Sequence, residues 1–219
     1  GLGKPSDDAN NTFTGRLLLL LESEVIFGSQ TYELVRTECV KRYWNDYSDH
    51  SSSFLPAFLM NDILRFWRTL CINYETGSPD AAKRRAKNYK LKYSRLLTCF
   101  SAVLGIQAEF QSIGTVSDER ALVVLRKSPL ERLLHVKELF GGDVASIVDE
   151  LFAMYNAFLV ETNCSKEDLY KKMEDPEYYR KSLSDARDFG DGVFRLIESL
   201  ASVPGVSSDG RRFLRYITI

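Results

Sequence analysis

Apolar residues recur at helical spacing along most of the chain. Phe13, Leu17, Leu18, Leu20, Leu21 and Val25 predict a first helix with a wide buried face, capped by Asn11 or Thr12. Phe27-Gly28 interrupts it. Ser29 caps a second helix, in which Tyr32, Val35, Cys39, Val40, Tyr43 and Trp44 recur as far as Asn45. The polar run DYSDHSSS that follows has the composition of a loop. A third helix is expected from about Phe54 to Glu75, with Pro56 in its first turn. It is apolar over much of its circumference, as the central helix of a bundle would be. After a tight break at Gly77-Ser78-Pro79, a fourth helix from about Asp80 to Gly105 carries Tyr89, Tyr93, Leu96, Leu97, Phe100, Val103 and Leu104 on one side. A break this short makes the third and fourth helices antiparallel neighbours and would bring their polar seams together.

Past Ile106 the pattern loosens until Ser117, which caps a short helix over Asp118 to Lys127. Ser128-Pro129 ends that helix, and Leu130 to Phe140 forms another, stopped by Gly141-Gly142. Asp143 opens a helix that extends to Leu159, Ser165 opens the amphipathic SKEDLYKKME, and Asp175-Pro176 starts a long helix through Leu200 that Pro204-Gly205 ends. The tail RRFLRYITI suits a last helical turn or a short strand. With no hairpin or strand signal and no repeat at solenoid periods, the fold class is all-α, a helical bundle. Residues 1–11 form a linker. A boundary within 110–116 would divide a bundle over 12–110, with the polar and basic seam, from a second packed sub-bundle over 111–219.

Composition narrows the function. Lys and Arg total 29 against 30 Asp and Glu, so the chain is not a general polyanion binder, and a local basic cluster becomes more informative. The longest apolar run, Leu17 to Leu21, predicts no transmembrane segment. The polar start lacks a signal-peptide pattern and does not begin with Met, which suits a processed or truncated start. Cys39, Cys71, Cys99 and Cys164 are widely spaced without a CxxC, a pattern expected of reduced thiols in a cytoplasmic protein and not of a zinc site.

Hydrolase, zincin, P-loop and dinucleotide fingerprints are absent from the sequence. His50 and His135 have no partner at useful sequence spacing, and Asp149-Glu150, Asp188 and Asp191 lie on amphipathic helices where solvated faces are expected. No catalytic or metal-binding residue is assigned. The Phe54–Arg95 stretch is different. Seven Lys or Arg residues and no carboxylate lie between Ala81 and Arg95. Lys83, Arg84 and Arg85 fit a solvated helix face. Asp62, Arg65, Arg68, Lys90 and Arg95 interrupt core-like helices, where an unpaired charge is costly, so they pair internally or hold an anionic ligand. Asp62 with Arg65 or Arg95 is the internal alternative. Three arginines and Lys90 against one carboxylate leave a cationic surplus suited to phosphate.

The run FLMNDILRFWRTLCINYE followed by KNYKLKYSRLL resembles the helical region after the catalytic domain in bacterial nucleotidyltransferases of DNA-polymerase-beta-like fold, relatives of the uridylyltransferase of the PII signalling protein. PSDDANNTFTGRLLLLLESEVIFG resembles the junction between those two parts. The resemblance covers about residues 5–104. It implies a substrate- or nucleotide-binding portion lined by Asn61, Asp62, Arg65, Arg68, Asn88, Lys90, Ser94 and Arg95. Mg and a nucleoside triphosphate are expected for the full-length family, and an upstream catalytic domain and a protein acceptor as partners. The family's Gly-Ser and paired-aspartate motif is missing, since Gly28-Ser29 is followed by a helix without the aspartates. Alternatives are a regulatory protein-protein interaction module without nucleotide binding and, disfavoured by the near-neutral charge, a nucleic-acid-binding domain.

Overall fold

The computed structural model describes residues 12–75 and 80–204, together with Arg215. The expected linker, the Gly77-Ser78-Pro79 break and all of the RRFLRYITI tail except Arg215, which is helical and exposed, lie outside the described residues. The helices are α1 (Thr12–Leu21), α2 (Ser29–Lys41), the single turn α3 (Tyr47–His50), α4 (Ala57–Glu75) and α5 (Ala81–Lys90). A π-helical turn, Leu91–Arg95, joins α5 directly to α6 (Leu96–Ile113). Then come α7 (Asp118–Arg126), α8 (Pro129–Phe140), α9 (Gly142–Thr162), α10 (Lys166–Glu174) and α11 (Pro176–Ser202). The described residues contain no strand, and the fold is an all-α helical bundle.

Helix α6 is the axis of this bundle, because α4, α8 and α11 all pack along it. From Leu97 to Gln111 every residue except Phe100 is buried. This explains why the expected end at Gly105 is wrong: a helix enclosed on all sides shows no polar face, and its last turns bury polar residues. Gln107 donates from Nε2 to the Ile197 carbonyl at 3.4 Å, and Glu109 is held by two partners described below. The helix ends instead at Gly114, whose φ of 88° suits glycine. Gly105 leaves room for α7, since a Cβ there would meet Val124 Cγ1 at 2.6 Å.

The continuous helix from Ala81 to Ile113 contains a window long and apolar enough to cross a membrane by length and composition, with mean hydropathy 1.3. The short Leu17–Leu21 run did not anticipate this window. In the bundle 78% of the window is buried, so packing accounts for its apolar surface.

Local chemistry sets the later helices. Ser117, Ser165 and Asp175 each accept a backbone N–H from the first turn they cap, and Ser128 with Glu131 forms a complete capping box. The expected starts of α7, α8, α10 and α11 fall within a residue or so of these caps. Gly192 fits close packing, since a Cβ there would lie 2.9 Å from Leu151 Cδ2.

The first half departs more from expectation. Helix α1 stops at Leu21, and Val25 is exposed. Helix α2 stops at Lys41, with Tyr43 and Trp44 in tight turns bonded to Val40 and Lys41. Trp44 is instead pinned by its Nε1, which donates to the Val116 carbonyl at 2.8 Å. Part of the expected polar loop forms α3. Helix α4 begins at Ala57 because Phe54 is tied to 115–116: its N–H donates to Thr115 Oγ1 at 3.1 Å and its carbonyl accepts from Val116 N at 2.9 Å. The 110–116 segment holds the last turn of α6 and this loop, and one cluster of buried apolar residues extends on both sides of it, from Phe13 to Leu200.

Buried arginines close the joint between α1, α7 and α8. Arg132, only 1% exposed, donates to the carbonyls of Val124, Leu125, Thr98 and Leu21 at 2.9–3.4 Å. Arg36 shares the Leu125 carbonyl at 3.0 Å and also donates to the Leu20 carbonyl and the Tyr32 hydroxyl.

Candidate functional site: the outer face of α4

Residues 58, 61, 65, 68 and 72 of a helix fall within one narrow arc. On α4 they are Phe58, Asn61, Arg65, Arg68 and Ile72, and all five are exposed. Phe58 is 71% exposed, unusual for an aromatic on a core helix. The stripe begins at a cavity of about 420 Å³ between the start of α4 and the α2–α3 connection. Asn61 and Phe58 border it on α4, while Tyr43, Asp46, His50 and Ser53 supply polar groups from the facing segment. At a rise of about 1.5 Å per residue, Arg65 lies roughly 6 Å and Arg68 roughly 10 Å along the helix from Asn61.

Asp62, four residues after Phe58 and three before Arg65, lies at the edge of this stripe and turns inward. Its Oδ2 accepts from Arg16 Nη2 at 3.1 Å and from the Tyr43 hydroxyl at 2.7 Å. Burial, with the Asp62 carboxylate beside it, pushes the Tyr43 pKa well above the usual phenol value, so Tyr43 stays a donor. Asp62 is therefore engaged with α1 and the end of α2, and neither Arg65 nor Arg95 is its partner. Arg65 instead lies over the Phe13 ring, 4.3 Å from its centroid. Neither Arg65, Arg68 nor Lys90 forms an ion pair among the described residues.

The remaining expected site residues are not brought to this face. Asn88 turns to α11, where its Nδ2 donates to the Tyr179 hydroxyl at 3.2 Å. Arg95 pairs with Glu22. Ser94 is half-buried and its carbonyl accepts from Thr98. Lys90 is exposed on α5, which packs chiefly on α10 and only lightly on α4. The two seams therefore do not form one cleft. The π-helical turn is part of the reason. Its extra residue rotates everything after it by about 100° relative to a regular helix, which takes Arg95 off the face it would share with Asn88, seven residues earlier, in an unbroken helix.

Arg85 departs from the solvated reading. It donates to the Met173 and Glu174 carbonyls at 2.8 and 3.3 Å and stacks on Tyr179, closing the C-terminal end of α10. His135 has a partner after all: its Nε2 lies 2.6 Å from Glu109 Oε1, and Arg120 donates to Glu109 Oε2 at 2.9 Å. Residues 26 and 11 positions away leave no local signal for such a cluster. Sequence reasoning also missed Phe58, Asp46 and His50 at the cavity. Phe58 was detectable, because it precedes Asn61 by three positions and Arg65 by seven. No protein-family model, curated protein or solved structure matches the chain.

Proposed function

We propose that this chain is the helical substrate- or nucleotide-binding portion of a bacterial nucleotidyltransferase whose catalytic domain lies outside it. The observation that supports the reading is the exposed α4 stripe, where two arginines without carboxylate partners among the described residues follow a cavity rimmed by Asn61 and Phe58. The Phe58 ring offers a face for a base, and the Asn61 amide offers a donor and an acceptor for its edge. Arg65 and Arg68 stand about a nucleotide's length further along and offer bidentate contacts to phosphate oxygens. Asp62 serves this site indirectly: by holding Arg16 and Tyr43 it fixes α4 against α1 and the cavity wall. Mg and the transfer step belong to the catalytic domain in this reading.

Isothermal titration with each nucleoside triphosphate is the test. Saturable binding is expected, weakened roughly tenfold or more in an Arg65→Ala Arg68→Ala variant. No heat with any triphosphate would sink the proposal. That result would leave the second reading, a regulatory interaction module without nucleotide binding, which the internal pairing of Asp62 favours.

A further inference from the structure

The segment between α1 and α2 holds two large apolar side chains in water. Ile26 is 100% exposed and Phe27 97%, yet the segment is tied down at both ends. Ser23 Oγ donates to the Leu19 carbonyl at 2.6 Å, and the Tyr32 hydroxyl donates to the Ser23 carbonyl at 2.7 Å. At the other end Gly28, with a φ of 70°, leads into α2, and its carbonyl accepts from Tyr32 N at 3.0 Å. A fixed apolar apex of this kind marks a contact surface. A matching recess lies close by. Between α8 and α9 a cavity of about 330 Å³ is walled by Leu130, Leu134, Phe152, Tyr155 and Leu159, and all three leucines are exposed. The base of the apex and this groove meet at one polar cavity of about 320 Å³, which is lined by Glu22, Ser23 and Glu24 and also by Glu131, a residue on the border of the groove.

We propose that apex and groove are the two halves of one self-complementary interface, and that its partner is a second copy of this chain, related by a two-fold axis through the polar cavity. The Ile26–Phe27 apex of each copy enters the α8–α9 groove of the other, so both apolar features are covered at once and the pair closes on itself. Three features select a second copy over an unrelated protein. An apolar protrusion and an apolar recess flank the same polar cavity, as an isologous contact requires. The area is sufficient: two exposed side chains of this size offer on the order of 300 Å² and the groove walls a similar amount, so the two copies together bury about 1,200 Å², the lower limit for a specific interface. The charges also match. Glu22 pairs with Arg95, Arg126 pairs with Glu33, and Glu131 closes its capping box. Glu24 and Lys127 are left on the cavity wall without an ion-pair partner among the described residues. Across the axis the Glu24 of each copy faces the Lys127 of the other, which fixes the register of the pair.

The test is the oligomeric state of the chain, read by sedimentation equilibrium over a concentration series. A monomer–dimer equilibrium is expected, weakened roughly tenfold or more by Phe27→Asp at the apex and likewise by Leu134→Asp in the groove. Mixing these two variants separates the proposal from any other dimer. The first keeps its groove and the second its apex, so the mixture should dimerise more tightly than either variant alone. A monomer at every concentration would overturn the proposal and leave apex and groove to a different partner. It is overturned as well by a dimer indifferent to either substitution, by a mixture no tighter than its components, or by open assemblies larger than a dimer. Both substitutions fall on exposed side chains, so the unfolding midpoint should hold; should Leu134→Asp lower it, Leu159→Asp takes its place in both arms. None of these outcomes depends on triphosphate binding at α4.

Discussion

Arg132 and Arg65 carry the same side chain in opposite circumstances. Arg132, with Arg36 beside it, is sealed inside the joint of α1, α7 and α8, yet neither guanidinium bonds a carboxylate among the described residues. Their acceptors include Leu20, Leu21, Val124 and Leu125, carbonyls at the C-terminal ends of α1 and α7. Such carbonyls lack intrahelical partners and carry the negative end of the helix dipole, so two helix ends neutralise the buried charge. Arg65 and Arg68 stand outside on the middle of a helix, where all carbonyls are engaged. The contrast separates arginine used as architecture from arginine left available to a ligand.

The largest effect expected from breaking this contrast is at Arg132. Burial and the neighbouring Arg36 push its pKa down to about 10, which still leaves it charged at neutral pH. Replacing it with Met keeps much of the volume but strands carbonyls at two helix ends. A loss of about 3–5 kcal/mol is expected by urea unfolding. A loss below about 1 kcal/mol would mean that the helix ends find other donors and that Arg132 is not a structural keystone.

The sequence distinguished these cases only in part, and the reasons differ along the chain. Helices α7 to α11 were placed well because Ser117, Ser128, Gly141, Ser165 and Asp175 act on their own first or last turns. Helix α6 was cut short because Gln107, Glu109 and Gln111 look like a surface and are buried. Asn61, Arg65 and Arg68 were legible as a polar seam, since helical spacing aligns them, but the seam was expected to interrupt a core-like surface and is exposed instead. The partners of Asp62 were not: Arg16 is 46 positions away and Tyr43 is 19, and only tertiary packing brings them together. The π-helical turn is equally silent in a pattern that assumes a regular helix.

A middle-sized effect is expected where α4 meets α1. Asp62→Asn keeps the shape but removes the charge shared by Arg16 and Tyr43, and its side chain is 22% exposed. A loss of about 1–3 kcal/mol is expected. Tyr43→Phe, which removes one of the two donors, should cost about 1 kcal/mol. Thermal unfolding of both single variants and the double variant checks this, because residues sharing a partner should be non-additive. Additive losses would show that Tyr43 and Asp62 contribute separately.

Arg85 tests the same device in a half-buried setting. It satisfies Met173 and Glu174 carbonyls much as Arg132 satisfies those of α7, but water can reach them if it is removed. Arg85→Ala should therefore cost only about 1 kcal/mol in urea unfolding. A cost equal to that at Arg132 would mean that enclosure does not set the scale.

The smallest effect on stability belongs to the residues with the most functional interest. Arg65→Ala and Arg68→Ala remove exposed charges that pair with no carboxylate among the described residues, so each should change unfolding free energy by less than about 0.5 kcal/mol. Arg65 is the more informative, since its stack on Phe13 could give it a structural share. Arg65→Lys keeps the charge but loses the planar guanidinium. If Arg65 is held for a ligand, Arg65→Lys should leave the unfolding midpoint unchanged while weakening triphosphate binding. If its role is to brace Phe13, the midpoint should fall in both Arg65→Lys and Arg65→Ala, and binding should follow the midpoint.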